Sequence, residues 1–134
     1  MVRVIYAHAC DFATQGHNGK PVLVGVFTGI TLPQIPAGIE RFHVFIAVET
    51  GPEDADQEQV INVELVDPDG AVTFGEEARQ PAEPLQAPKA GYINRVWRNI
   101  VFYKHGDHII RVKVSGADEA YDLPLTIRRG DEAS

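Results

Sequence analysis

The sequence lacks several features that define whole classes of protein. Its 134 residues include one cysteine, one methionine and one tryptophan. A single cysteine cannot close an intrachain disulfide, which excludes the disulfide frameworks of small secreted domains and the paired-cysteine zinc sites. The strongly apolar runs stay well below the roughly 20 residues that cross a bilayer. We therefore expect a soluble, cytoplasmic protein with no membrane partner.

Positive charge is also scarce. Lysine and arginine total 12 against 19 aspartate and glutamate residues, which gives a formal net charge of -7 and a pI near 5.1. A phosphate backbone would be repelled on average, and no basic run offers a local exception. We expect no nucleic-acid partner. The length suits one domain, which we place at residues 1–129, followed by a frayed tail at residues 130–134.

No segment shows a sustained apolar period of 3.6 residues. The apolar runs are short, rich in Val, Ile, Phe and Tyr, and bounded by Gly, Pro, Asn or Asp, as is typical of strands. About eight such runs predict an all-β fold, an antiparallel two-sheet sandwich. At most one short helical turn is expected, near residues 11–15, where Asp11 would serve as its N-cap.

Individual runs predict which side chains face the core. Residues 41–49 place Phe42, Val44, Ile46 and Val48 on one face, and "QVINVELV" places Ile61, Val63 and Leu65 inward. The run "PVLVGVFTGI" at residues 21–30 is apolar on both faces, which predicts cover on both. The stretch "GEEARQPAEPLQAPKAG" contains three prolines and is expected to be a long loop.

Several segments together resemble a known family. The combination of "CDFA", "GKPVLVGVFTGI", "VELVDPDG", "HGDHIIRVKVSG" and "LPLTI" is similar to a family of small uncharacterised bacterial proteins with a domain of unknown function. The resemblance covers most of the chain and rests on strand and turn patterns. It implies an immunoglobulin-like sandwich and no particular activity.

The segment "HACDFATQGHNGK" concentrates residue types that bind metals. A zinc site could form if neighbouring strands brought residues of this segment close to residues of the later "HGDH" turn. The candidate ligands are His8, Asp11, His17, His105 and His108. The spacing matches no familiar site. The alternative is that Asn18-Gly19 makes a turn between two strands and that Cys10 fills a small apolar slot. We therefore assign no metal, no cofactor and no catalytic residue.

Three aromatic residues are the candidate contacts for a ligand or partner. Trp97 and Tyr103 share a strand face if alternation is regular, and exposed they would stack on a sugar ring or fill a pocket of a partner. Phe45 lies opposite the inward face of its strand, leaving apolar surface that needs cover. The leading hypothesis is a non-catalytic protein that binds a protein partner or itself. The alternatives are a metal-binding or metal-assisted enzyme using His8, Asp11 and His17, and carbohydrate or small-ligand binding through Trp97 and Tyr103.

Overall fold

The computed structural model describes residues 2–54, 56–82, 87 and 89–130, and nearly all of its regular structure is β-strand. A single 3-10 turn spans Pro52–Asp54. Within these residues no helix is long and apolar enough to cross a membrane. The same residues contain nine strands, β1 Arg3–Gln15, β2 Pro21–Phe27, β3 Gly29–Thr31, β4 Ala37–Thr50, β5 Gln59–Val66, β6 Val72–Gln80, β7 Lys89–Phe102, β8 Gly106–Val114 and β9 Tyr121–Arg128.

The strands form two sheets, which confirms the predicted all-β, two-sheet sandwich. Sheet I has the order β2-β1-β4-β7, with antiparallel neighbours throughout. Sheet II has the order β3-β9-β8-β5-β6 and is antiparallel except for the short contact between β3 and β9. The chain passes from sheet I to sheet II at Thr28, whose carbonyl accepts a hydrogen bond from the Thr126 N–H at 2.9 Å. Strands β2 and β3 are therefore the outer strands on one side of the sandwich.

The main core lies between the sheets and follows the predicted alternation. In β4, Phe42, Val44, Ile46 and Val48 are at most 1% exposed. In β5, Ile61, Val63 and Leu65 are completely buried, as predicted, while the intervening residues face outward. Burial of alternate side chains from both sheets is what holds such a sandwich together.

The regular inward and outward alternation of side chains is interrupted in β1 and β7 of sheet I. Cys10 and Ala13 are three residues apart and both buried, and so are Trp97 and Ile100, although strict alternation would put each pair on opposite faces. Close to both breaks a residue has positive φ: Gly25 in β2, at 68°, and Asn99 in β7, at 54°. A residue in this conformation bends the strand locally and interrupts the alternation.

The break lets the β1–β2 hairpin cover the outer face of sheet I. A second, smaller core forms there from Cys10, Ala13 and Phe45, with Tyr6, Leu23 and Tyr92 packed around it. The side-chain amide of Asn94 in β7 donates to the Ala13 carbonyl at 2.8 Å, which fixes the hairpin against the sheet. Phe45 is completely buried as a result.

Two expectations about local structure are wrong. Residues 11–15 are not helical: they continue β1 and pair with β2 from Phe12–Val24 to Gln15–Pro21. The loop expected across residues 75–91 is shorter, because β6 extends to Gln80 and β7 begins at Lys89. Ladder pairing of residues 74–80 with β5 outweighs the low strand propensity of the Glu and Arg residues there. Residues 83–86 and 88 of that expected loop, and residues 131–134 of the expected tail, lie outside the described residues.

Candidate functional site

The candidate metal ligands of the first hairpin do not share a site. His8 is half-buried on β1, with its ring 5.2 Å from that of Tyr6. His17 is exposed in the turn after β1, where the Gly16 and Gly19 backbones bond to each other and to Lys20, as the turn interpretation predicts. Among the described residues no group of three or more His, Cys, Asp or Glu side chains is arranged to hold a metal ion.

The two histidines of the "HGDH" segment each make contacts within the fold. A ring nitrogen of His105 lies 2.7 Å from the Leu32 carbonyl oxygen. His108 is 2% exposed, with Nδ1 3.1 Å from the Gly106 carbonyl oxygen and its ring edge-on to Phe102. The His105 contact joins two segments that are distant in sequence, whereas the His108 contact lies within β8.

Cys10 is completely buried in the second core. Burial raises the pKa of its thiol, and the nearby charge of Asp11 raises it further. A raised pKa lowers the thiolate fraction, and the thiolate is the nucleophilic form. This environment is that of a packing cysteine.

A buried polar network beside Cys10 had no counterpart in the sequence analysis. His43 is 5% exposed, with Nδ1 2.8 Å from Oδ1 of Asn94, whose amide nitrogen bonds the Ala13 carbonyl. The ring of Phe12 meets the His43 ring edge-on at 5.4 Å. His43 interrupts the apolar run from Phe42 to Val48, but only the register shows that His43 and Asn94 lie on neighbouring strands.

The aromatic residues proposed as ligand contacts are placed differently from the prediction. Trp97 is completely buried, with its ring centroid 4.9 Å from that of Phe74, so it is not available to stack on a sugar. Phe45 is buried under the hairpin. Tyr103 is 62% exposed and lies beyond the end of β7, apart from Trp97. The face change near Asn99 is the physical reason that the two aromatics do not share a surface.

The exposed apolar surface lies instead on the β1–β2 hairpin. Val22, Val24 and Val26 are 44 to 53% exposed at alternate positions of β2. Phe12, at 44%, is the register partner of Val24, so the two side chains lie on the same face. The expectation that residues 21–30 are covered on both faces is therefore wrong, because these valine side chains face solvent. Strand β2 is also the outer strand of sheet I, so one of its backbone edges has no strand neighbour.

A cleft opens where β1 separates from β4. Their pairing ends at Cys10–His43, so the continuation of β4 toward its start has no β1 neighbour. The cleft has a volume of about 410 Å³ and is lined by residues of β1 to β4: Asp11, Gly25, Val26, Phe27, Gly29, Ile30, Ile39, Arg41 and Phe42. Its floor is apolar and its walls carry one acidic and one basic side chain.

Comparisons with known proteins give a family and a fold. Residues 5–128 match a family described as of unknown function, DUF6941. No curated protein matches the chain. A similar solved structure is the Pseudomonas fluorescens alkylpurine DNA glycosylase AlkC bound to DNA containing an abasic site analog, at 16% sequence identity and a TM-score of 0.50. That match covers 93% of this chain but only 30% of the glycosylase chain, and it shows a shared fold alone.

Proposed function

The chain belongs to the DUF6941 family of unknown function, and from this premise we propose that it is a non-catalytic domain that associates with a second copy of itself through β2. The observation that carries the proposal is an outer strand without charge, Pro21–Phe27, with three exposed valines. Outer strands present unpaired backbone N–H and C=O groups and are ready to pair with another strand.

The other outer strands are protected in ways that β2 is not. Strand β6 carries Glu76, Glu77 and Arg79, and β7 carries Arg95 and Arg98. Charged side chains oppose strand addition because pairing would desolvate them or oppose like charges. Strand β3 has only three residues. Among the described strands, β2 therefore combines an outer position, sufficient length and an uncharged sequence.

Antiparallel pairing of two β2 strands about a two-fold axis is self-complementary. With Val24 opposite its own copy, Val22 of one chain is the register partner of Val26 of the other, and the exposed valines of both chains lie near the two-fold axis. Each chain contributes the same patch, as two-fold interfaces require. Because Pro21 has no N–H and Gly25 has positive φ, the shared ladder is short. We expect association in the micromolar range.

The non-catalytic part of the proposal is supported by how the reactive side chains are used. Cys10 is buried with a raised pKa, and His43, His105 and His108 are hydrogen-bonded within the fold. We also propose that the sandwich is immunoglobulin-like and that the protein is bacterial and cytoplasmic. A single free cysteine is consistent with the reducing conditions of the cytoplasm.

Sedimentation velocity at rising protein concentration tests the proposal. We expect wild type to shift from monomer to dimer over the micromolar range and Val24→Lys to remain monomeric, because the new charge would meet its own copy at the axis. A wild-type protein that stays strictly monomeric at tens of micromolar would refute self-association.

Val72→Lys is the matched control. Val72 is 54% exposed on β6, against 53% for Val24 on β2, and the substitution adds the same charge. We expect this variant to dimerise like wild type. Equal loss of dimer in both variants would mean that net charge, and not the β2 strand, controls association.

A further inference from the structure

Most basic side chains of the described residues form ion pairs. Carboxylates lie within ion-pair distance of Arg3, Arg79, Arg95, Lys104, Arg111 and Lys113. Within the described part of the chain, Arg41 and Arg98, like Lys20 and Arg128, have no carboxylate at such a distance. Arg41 and Arg98 are register partners on β4 and β7, so two like charges face each other on neighbouring strands.

The repulsion between the Arg41 and Arg98 side chains opposes folding unless a bound anion neutralises them. Register partners have Cβ atoms about 5 Å apart, and like charges directly opposite one another repel. The cost is greater for a pair with no neutralising acid beside it. The protein as a whole has more acidic than basic residues, and six other basic side chains form ion pairs with acidic ones. Arg41 and Arg98 are distinguished by their position, because the two unneutralised guanidinium groups belong to register partners on neighbouring strands.

One member of the pair lines the cleft between β1 and β4. Arg41 forms part of its wall, and Phe27, Ile30, Ile39 and Phe42 provide apolar surface below it. A volume of about 410 Å³ falls within the range of sites for small molecules. A pocket with an apolar floor and a few convergent polar groups is the usual form of such a site.

The acidic residue of the cleft leaves Arg41 unneutralised. The Asp11 carboxylate lies against Gly25, so closely that a Cβ there would overlap with it, and it is not within ion-pair distance of Arg41. Glycine at position 25 thus makes room for Asp11 on the β2 side of the cleft. The basic side of the cleft remains open to an anion.

We propose that the cleft binds small apolar molecules that carry a carboxylate. The apolar part of the ligand packs on Phe27, Ile39 and Phe42, and the carboxylate accepts hydrogen bonds from the guanidinium group of Arg41. Arg98, the register partner of Arg41 on β7, adds positive charge beside it. Guanidinium groups match carboxylates in geometry and form charge-assisted, often two-pronged, hydrogen bonds. A bound carboxylate would also relieve the repulsion between the two arginines. This inference does not depend on pairing through β2.

The test is an NMR titration with three probes that share an apolar part and differ in charge: phenylpropionate, phenylpropionamide and phenylpropylamine. We expect phenylpropionate to bind, to shift backbone amide signals of the cleft residues, and to bind about tenfold more tightly than the neutral amide. Equal binding of the carboxylate and the amide, tighter binding of the amine, or no binding of any probe at millimolar concentration would overturn the proposal.

Matched variants assign the effect to the arginine pair. Arg41→Gln should weaken phenylpropionate binding by about tenfold and Arg98→Gln by less, because Arg98 lies beside the cleft and not in its lining, and both should leave phenylpropionamide unaffected. Lys20→Gln removes the same charge from the exposed hairpin turn and should leave both affinities unchanged. If Lys20→Gln weakens binding as much as Arg41→Gln, the effect comes from overall charge and the site assignment is wrong. Retained dispersion of the amide spectrum verifies that each variant is folded.

Discussion

Glu76 joins the two sheets at the side of the sandwich formed by β6 and β7, and its removal should be costly. Its carboxylate accepts the Trp97 indole N–H at 2.7 Å and two guanidinium N–H groups of Arg95 at 2.8 and 3.2 Å. Trp97 is completely buried against Phe42 and Phe74. We predict that Glu76→Ala lowers the free energy of unfolding more than any exposed ion pair would suggest.

The magnitude follows from the two kinds of bond. A buried indole N–H left without an acceptor costs about 1–3 kcal/mol. The ion pair contributes less than about 1 kcal/mol, since the Arg95 side chain is 38% exposed. Together these terms give a loss of about 1–4 kcal/mol, which at about 3 °C per kcal/mol lowers Tm by roughly 3–12 °C. Glu76→Gln retains an acceptor for the indole and should cost about 1 kcal/mol.

Urea unfolding followed by circular dichroism measures these differences, and a double-mutant cycle with Trp97→Phe isolates the indole bond. In the Trp97→Phe background Glu76→Ala should cost no more than about 1 kcal/mol, because only the arginine contact remains to be lost. Trp97 is the only tryptophan, so a red shift of fluorescence in Glu76→Ala would report water at the indole. A cost that is the same in both backgrounds would refute the reasoning.

Two further predictions concern Asp67 and Gly25. The Asp67 carboxylate accepts the Asp69 and Ala71 N–H groups at 2.9 Å and pairs with Lys104 at 3.1 Å, and these bonds, that from Ala71 first, hold its pKa below the ordinary 3.8. A lowered pKa stabilises the folded state above about pH 4, and this stabilisation is lost as pH falls through the folded-state pKa. The Tm of Asp67→Asn should therefore depend less on pH than that of wild type between about pH 5 and pH 3. An equal dependence of Tm on pH in both proteins would contradict this. Gly25→Ala should cost at least about 1–2 kcal/mol, because φ is 68° and the new Cβ would also overlap with the Asp11 carboxylate. Gly75→Ala, whose Cβ would meet its neighbours no closer than 3.7 Å, should change stability by less than about 0.5 kcal/mol in the same denaturation assay. Equal costs would show that position 25 accepts alanine without strain or overlap.

The fold was predictable because strand alternation is a local property. Phe42, Val44 and Ile46 share a face in any strand of regular pleat, whatever its neighbours, and the structure buries all three. The failures occur where alternation is broken. Asn99 adopts positive φ although it is not glycine, and no pattern in "VWRNIVFY" indicates it. Regular alternation across that residue placed Trp97 and Tyr103 together, and the real chain separates them.

The site residues were less predictable because they depend on pairing between distant segments. Strands β5 and β6 lie between Arg41 and Arg98 in sequence, and only the β4–β7 register makes the two residues neighbours. The five candidate metal ligands were grouped by residue type, and sequence proximity does not fix which strand ends meet. His8 and His17 lie on one hairpin, yet one is packed on a sheet face and the other is exposed at the turn.

The wrong expectation about β2 bears most directly on function. An apolar strand is covered on both faces in a sheet interior, and the run at residues 21–30 has the composition of such a strand. In the structure it is an outer strand whose valines at 22, 24 and 26 face solvent. An uncharged outer strand with exposed apolar side chains is able to pair with a strand of another chain, as we propose for β2. The mismatch between composition and environment is thus itself the physical argument for association through β2, and charge at Val24 is the perturbation to which that argument is most sensitive.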